Sequence, residues 1–182
     1  MNNGFIVCGD THGNHNYIRY MIRTPDINNT TLFHVGDFGI GFKNEHVDIA
    51  EMERLNEALE YKNNHLYVIR GNHDKPEWFD GTRDWSNLHL VPDYTIIDVN
   101  GFGVLMVGGA ISIDRKPRLY DMQMMAKKGI DKELYWYDEN FVLELARYKT
   151  PTMSFCVRAV RGGREALKGG GRPYGFNAFV GQ

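Results

Sequence analysis

The chain has 182 residues, of which 42% are hydrophobic and 24% charged, with 2 cysteines and a formal net charge of −2. That length suits one domain with a real core, and the composition excludes collagen-like, disulfide-framework and wholly disordered classes. The near-neutral charge gives no global basic field for nucleic acid, and Cys8 with Cys156 alone suits a reducing compartment.

In chain order, the first signal is a β-rich run, Phe5-Ile6-Val7-Cys8, that ends in Gly9-Asp10. A helical pattern follows from about Asn14 to Arg23, with Asn14 as N-cap. The second run, Leu32 to Val35, ends in Gly36-Asp37. A second helix is expected from about Glu45 to Tyr61, with Val47, Ala50, Leu55, Ala58 and Leu59 on its apolar face. The third run, Leu66 to Ile69, leads into Arg70-Gly71-Asn72. Strand, helix, strand, helix, strand is the pattern of a parallel sheet covered by helices, in which ligands bind at the carboxyl ends of the strands. A hairpin comes next: Tyr94 to Val99, Asn100-Gly101 as its turn, then Phe102 to Val107. Met122, Met124 and Met125 read as packing in an irregular connection.

Residues 1 to 150 hold 16 basic and 22 acidic residues, whereas 151 to 182 hold 5 basic and 1 acidic, with seven glycines and no histidine. The expected division is therefore a folded domain over 1–150 and a basic, glycine- and arginine-rich tail over 151–182 that is disordered. No apolar run approaches the roughly 20 residues of a spanning helix, and the start MNNGFIVCGD lacks a signal-peptide layout. A cytoplasmic location and no membrane partner are expected.

The three strand ends carry Asp10-Thr11-His12-Gly13-Asn14, Asp37 and Asn72-His73-Asp74. Oxygen and imidazole donors gathered from separate loops suit a hard or borderline divalent metal. Gly9-Asp10-Thr11-His12-Gly13, Gly36-Asp37 and Gly71-Asn72-His73-Asp74 together resemble the calcineurin-like metallophosphoesterases, matching their three motifs in order. Gly108 to Asp114, Arg115, Arg118, Trp136 and Glu139 are similar to the small bacterial and phage members. The resemblance implies an α/β fold, an αββα sandwich of mixed sheets with flanking helices.

It also implies a site with two divalent ions (manganese, iron or zinc), where Asp10 and His12 hold one, Asp37 bridges both, and Asn72 holds the second. His73, oriented by Asp74, would act as general acid on the leaving oxygen, and Arg70 would bind phosphate. The implied reaction is hydrolysis of a phosphomonoester or phosphodiester by metal-activated hydroxide, with a phosphorylated small molecule, nucleotide or nucleic acid as substrate. Gly36-Asp37-Phe38-Gly39 lacks the Asp-Arg-Gly of the protein serine/threonine phosphatase branch, which disfavours phosphoprotein.

The family's second-half histidines are missing: the 7 histidines are 12, 15, 34, 46, 65, 73 and 89. The second metal is thus left with Asp37 and Asn72, and the second sheet is expected to be incomplete, the chain beyond about 150 not being the family's usual continuation. Two other functions stay open, a catalytically silent binding or scaffold module and a nuclease-like protein helped by the basic tail. His34 is expected to be a core histidine; His15, His46, His65 and His89 solvated or locally bonded; Cys8 a small buried hydrophobe. Arg115 and Arg118 face either an anionic substrate or solvent.

Overall fold

A computed structural model describes residues 5–110 and 112–139, together with the backbones of 153–158 and 179–181. The expected boundary at 150, and the tail apart from two short strands, lie outside the described residues.

β1 (Phe5–Cys8), β2 (Thr31–Val35), β3 (His65–Ile69) and β4 (Leu88–Leu90) run parallel, and β8 (Phe179–Gly181) joins β1 antiparallel, giving the order β4-β3-β2-β1-β8. The hairpin β5 (Thr95–Val99) and β6 (Phe102–Val107) forms the second sheet with β7 (Met153–Arg158), in the order β5-β6-β7. Its turn residues Asn100 and Gly101 have φ of 54° and 84°, the left-handed pair that a two-residue hairpin turn requires.

The alternation of side chains along the first sheet builds two cores. Ile6, Leu32, Leu66, Val68, Leu88 and Leu90 face α1 (His15–Ile22) and α2 (Glu45–Glu60), where Ile18, Ile22, Met52, Leu55 and Leu59 meet them. Phe33 and Ile69 point the other way, with Phe5, Val7, Val35 and Tyr67 packed beside them, onto Val99, Val104 and Met106 of the second sheet. This helix, sheet, sheet layering is the mixed α/β sandwich expected from the sequence.

Three local expectations change. The buried face of α2 is Asp48, Met52, Leu55, Asn56 and Leu59, while Val47 is exposed; Asp48 on that face accepts from the Gly41 N–H at 3.0 Å. Asn14 does precede α1, but its side chain makes no capping bond. The methionine group lies on a regular helix, α3 (Arg115–Ala126), whose single buried residue is Arg118. β4 and a 3₁₀ turn over Pro76–Phe79 were not foreseen; three residues is too short a run for periodicity to register. Among the described residues, no helix is long and apolar enough to cross a membrane.

The register explains why the motifs meet. Cys8 at the end of β1 aligns with His34, and Val35 at the end of β2 aligns with Ile69. The loops that begin at residues 9, 36 and 70 therefore leave one edge of the sheet together.

Candidate metal centre

The loop after β1 is stitched to the loop after β2 by three backbone bonds, Asp10 N to Gly36 O at 3.0 Å, His12 N to Asp37 O at 2.9 Å and Gly13 N to Phe38 O at 2.8 Å. Holding this path puts Asp10, His12 and Asp37 at φ of 61°, 45° and 53°. Left-handed backbone is costly for most side chains and tolerated best by Asp, Asn and His, and such strain gathers at functional sites. Two glycines allow the close approach: a Cβ on Gly39 would stand 2.0 Å from Gly13 N, and one on Gly71 would stand 2.1 Å from both Asp37 N and Oδ1.

His12 Nε2 lies 2.6 Å from Asp10 Oδ1 and 3.9 Å from Asp37 Oδ2. One donor atom each from His12, Asp37 and His73 falls within 4.8 Å of the others, and the His12 and His73 rings meet edge to face at 4.8 Å between centroids. Ligands stand about 2.0–2.2 Å from a zinc-like ion, hence roughly 3–4 Å from one another. Carboxylate and imidazole donors gathered this closely are ligand types that a divalent cation takes. The side chains of Asp10, His12 and Asp37 are 77%, 50% and 23% exposed, so the cluster is open to a ligand.

Asp37 divides its two oxygens. Oδ2 faces His12, while Oδ1 accepts from the His73 backbone N–H at 3.0 Å. The His73 imidazole is half-buried, and its Nε2 lies 3.9 Å from Asp114 Oδ2. Burial lowers its pKa from the ordinary histidine value, and Asp37 pulls it back up.

The expected partner of His73, Asp74, has a different place. It is fully buried, and its carboxylate accepts from the backbone N–H groups of Phe38 (3.1 Å), Gly39 (2.6 Å), Ile40 (3.3 Å) and Gly71 (2.7 Å). Asp74 thus ties the second strand-end loop to the third, and it does not orient His73. Burial raises its pKa to about 6 against the opposing pull of those N–H donors.

Arg70, expected to bind phosphate, has its guanidinium engaged within the fold. Its Nε and Nη2 reach Asp93 Oδ2 at 2.9 and 2.6 Å, and Nη1 donates to the carbonyls of Asp138 and Glu139 at 3.0 and 2.9 Å. The guanidinium is 8% exposed as part of its residue, and the fork that would grip phosphate is occupied within the fold.

Beneath the cluster, Thr11 Oγ1 donates to Phe38 O at 3.2 Å and meets His34 Nε2 at 3.0 Å. A hydroxyl has one proton, so His34 Nε2 carries the hydrogen in that contact. Its Nδ1 has no partner, which suits a bare lone pair and a neutral ring. Burial lowers the His34 pKa to about 3, and the expected core histidine is borne out. His15, expected to be solvated or locally bonded, is buried and bonded at both nitrogens, with Nδ1 2.9 Å from Glu51 Oε2 and Nε2 3.1 Å from Phe38 O. Cys8 is buried with its thiol pKa pushed up to about 12, an inert small hydrophobe as expected. His89 bonds locally to Asp84 at 2.7 Å.

Asn72 stands between the Gly71 contact with Asp37 and His73. Its Nδ2 donates to Ser112 Oγ at 3.0 Å, and Ser112 belongs to a buried group with Glu139 and Arg118. Arg118 also donates from Nη1 to Leu134 O at 2.9 Å, so it does not face an anionic substrate. Arg115 is exposed, with its guanidinium carbon 5.5 Å from the centre of the Tyr135 ring. Ser112 and the placement of Asp114 opposite His73 were not read as site features. A signal existed, since β6 also ends in glycines followed by polar residues, Gly108-Gly109-Ala110-Ile111-Ser112-Ile113-Asp114.

A family profile described as calcineurin-like phosphoesterase matches residues 4–157. No curated protein matches the chain. Among solved structures, it is similar to a cold-active protein-tyrosine phosphatase of a psychrophile, Shewanella sp., at 17% identity and a TM-score of 0.33, covering 71% of this chain and 50% of that one. A point mutant of a cold-active protein tyrosine phosphatase aligns at 16% identity and a TM-score of 0.32, again over 71% and 50%. The chain spans about half the length of these structures.

Proposed function

The chain belongs to the calcineurin-like phosphoesterase family, and we propose that it hydrolyses a small phosphomonoester or phosphodiester, such as a nucleotide, at the strand-end cluster. The observation that supports this is the convergence of Asp10, His12, Asp37 and His73 from three separate loops, on backbone held left-handed at Asp10, His12 and Asp37. Asp10, His12 and Asp37 are the donors for one divalent ion. Asp37 and Asn72 are the donors for a second, with manganese, iron or zinc as the proposed metals. Bound there, such ions polarise a phosphoryl oxygen and make water acidic enough to act near neutral pH.

The chain's own residues supply the remaining parts. Asp37 is held in place by the His73 N–H and by the glycine contact at Gly71, so the donor needs little reorganisation on binding. His73 is the group positioned to protonate the leaving oxygen, with Asp114 facing its Nε2. Asp74 keeps the loop geometry on which both depend. A cytoplasmic place of action, supported by the sparse cysteines, is part of this proposal.

Hydrolysis of para-nitrophenyl phosphate and of bis-para-nitrophenyl phosphate, with manganese and after chelation, tests it. Turnover that requires the metal, is lost in Asp37→Ala and falls in His73→Gln is expected. Turnover unaffected by chelator, or equal in Asp37→Ala, contradicts the proposal.

A further inference from the structure

The buried group behind Asn72 has a direction built into it. Glu139 is fully buried, with Oε1 accepting from the Ser112 backbone N–H at 2.9 Å and Oε2 standing 2.7 Å from Ser112 Oγ. Arg118 Nη2 reaches the same Oε2 at 3.2 Å and also donates to Ser112 Oγ. A carboxylate only accepts, so the single hydroxyl proton of Ser112 goes to Glu139. Arg118 fills one lone pair of the Ser112 oxygen, and one lone pair is left.

That remaining position can take a donor and nothing else. The Asn72 amide meets it at 3.0 Å and must therefore present its NH₂ edge. Since the amide is planar, with nitrogen and oxygen on opposite edges, its oxygen is turned away from Ser112. We propose that Ser112, Glu139 and Arg118 act as a positioning relay that fixes the polarity of the Asn72 amide, so that Asn72 offers Oδ1 rather than Nδ2 to a divalent cation.

This rests on the metal centre proposed above. An amide nitrogen has no lone pair free for a metal, so an inverted Asn72 would remove a ligand without removing the residue. Groups that orient a ligand from behind commonly alter metal affinity by about 10–100-fold. The relay matters here because this chain has no histidine beyond His89, which leaves Asn72 with few alternatives.

The test is manganese affinity, read by equilibrium titration and the electron paramagnetic resonance of bound Mn(II), with far-UV circular dichroism as the folding control. Glu139→Gln keeps the shape but can donate to Ser112 Oγ, which frees the hydroxyl proton to invert the amide; it is expected to weaken manganese binding about tenfold. Ser112→Ala, which removes the acceptor, is expected to do the same. In an Asn72→Asp background both edges of the side chain are oxygen, so the amide can no longer be inverted, and Glu139→Gln, which frees the Ser112 proton for the new carboxylate, should not weaken manganese binding.

An equal loss in both backgrounds would mean a general structural role and overturn the relay, as would no loss with Asn72 in place. The two readings fail separately: manganese bound equally by wild type, Asp37→Ala and Asn72→Ala overturns the metal centre and the relay with it. Loss in those two variants, with none in Glu139→Gln, overturns the relay alone.

Discussion

Asp37 and Asp74 both follow parallel strands at the same sheet edge, yet they sit in opposite environments. Asp37 belongs to an open rim with Asp10 and His12, where side chains are 23%, 77% and 50% exposed. Asp74, Arg70, Arg118 and Glu139 belong to a buried layer, each 9% exposed or less, in which every one of them is tied to a named partner. The contrast teaches that a motif conveys two kinds of polar residue. Those of the rim keep their donor atoms available to a ligand, and those of the buried layer spend them on the backbone that shapes the rim.

The sharpest way to break this comparison is to exchange the losses. Asp74→Ala strands the N–H groups of Phe38, Gly39, Ile40 and Gly71 and should destabilise the fold by on the order of 3–5 kcal/mol, read by urea unfolding. Asp37→Ala, which puts alanine on left-handed backbone and gives up the bond from the His73 N–H, should cost about 1–2 kcal/mol, clearly less than Asp74→Ala, and lower kcat/KM by more than about 100-fold, beyond what loss of an orienting group typically costs. If Asp37→Ala proved the more unstable of the two, the division into rim and layer would be wrong.

Arg70→Lys gives a smaller effect. The ammonium keeps a charge for Asp93 but cannot also reach the carbonyls of Asp138 and Glu139, so a loss of about 2 kcal/mol in stability is expected. KM should shift less than about twofold, because the guanidinium's donors are engaged by Asp93 and the two carbonyls. A large rise in KM at unchanged stability would return Arg70 to the phosphate.

A further effect is a pH dependence from His34. Its folded pKa of about 3 lies below the ordinary unfolded value near 6.5, so the unfolded chain takes up a proton that the folded one refuses. Stability is then full above about pH 6.5 and declines as pH falls toward 3, by up to about 1.4 kcal/mol per unit from this group. His34→Gln should flatten that slope in urea unfolding measured between pH 7 and 5.

The legible part of the molecule was the part with strong local patterns. β1, β2 and β3 each read as an apolar run ended by glycine and a polar residue, and the hairpin declared itself through Asn100-Gly101. The meeting of Asp10, His12, Asp37 and the His73 loop followed from parallel strands whose carboxyl ends align. What stayed hidden depends on which way a side chain turns. Asp74 and Arg70 have the right chemistry for the rim, and only the loop path shows their groups directed inward. The buried stripe of α2 runs through residues 48, 52, 55 and 59, so Val47 falls outside it while the polar Asp48, bonded to the Gly41 N–H, falls inside. The relay through Ser112 and Glu139 joins residues 72, 112, 118 and 139, separations at which no local pattern operates.

As a divalent metal centre, the rim at Asp10, His12 and Asp37 should keep its ion through purification. The measurement that tests it most directly is metal content by inductively coupled plasma mass spectrometry, after manganese loading and gel filtration of the wild type and Asp37→Ala. At least one ion should be retained per wild-type chain and lost in a variant that remains folded. Wild-type chain emerging without metal, or Asp37→Ala retaining as much, would contradict it.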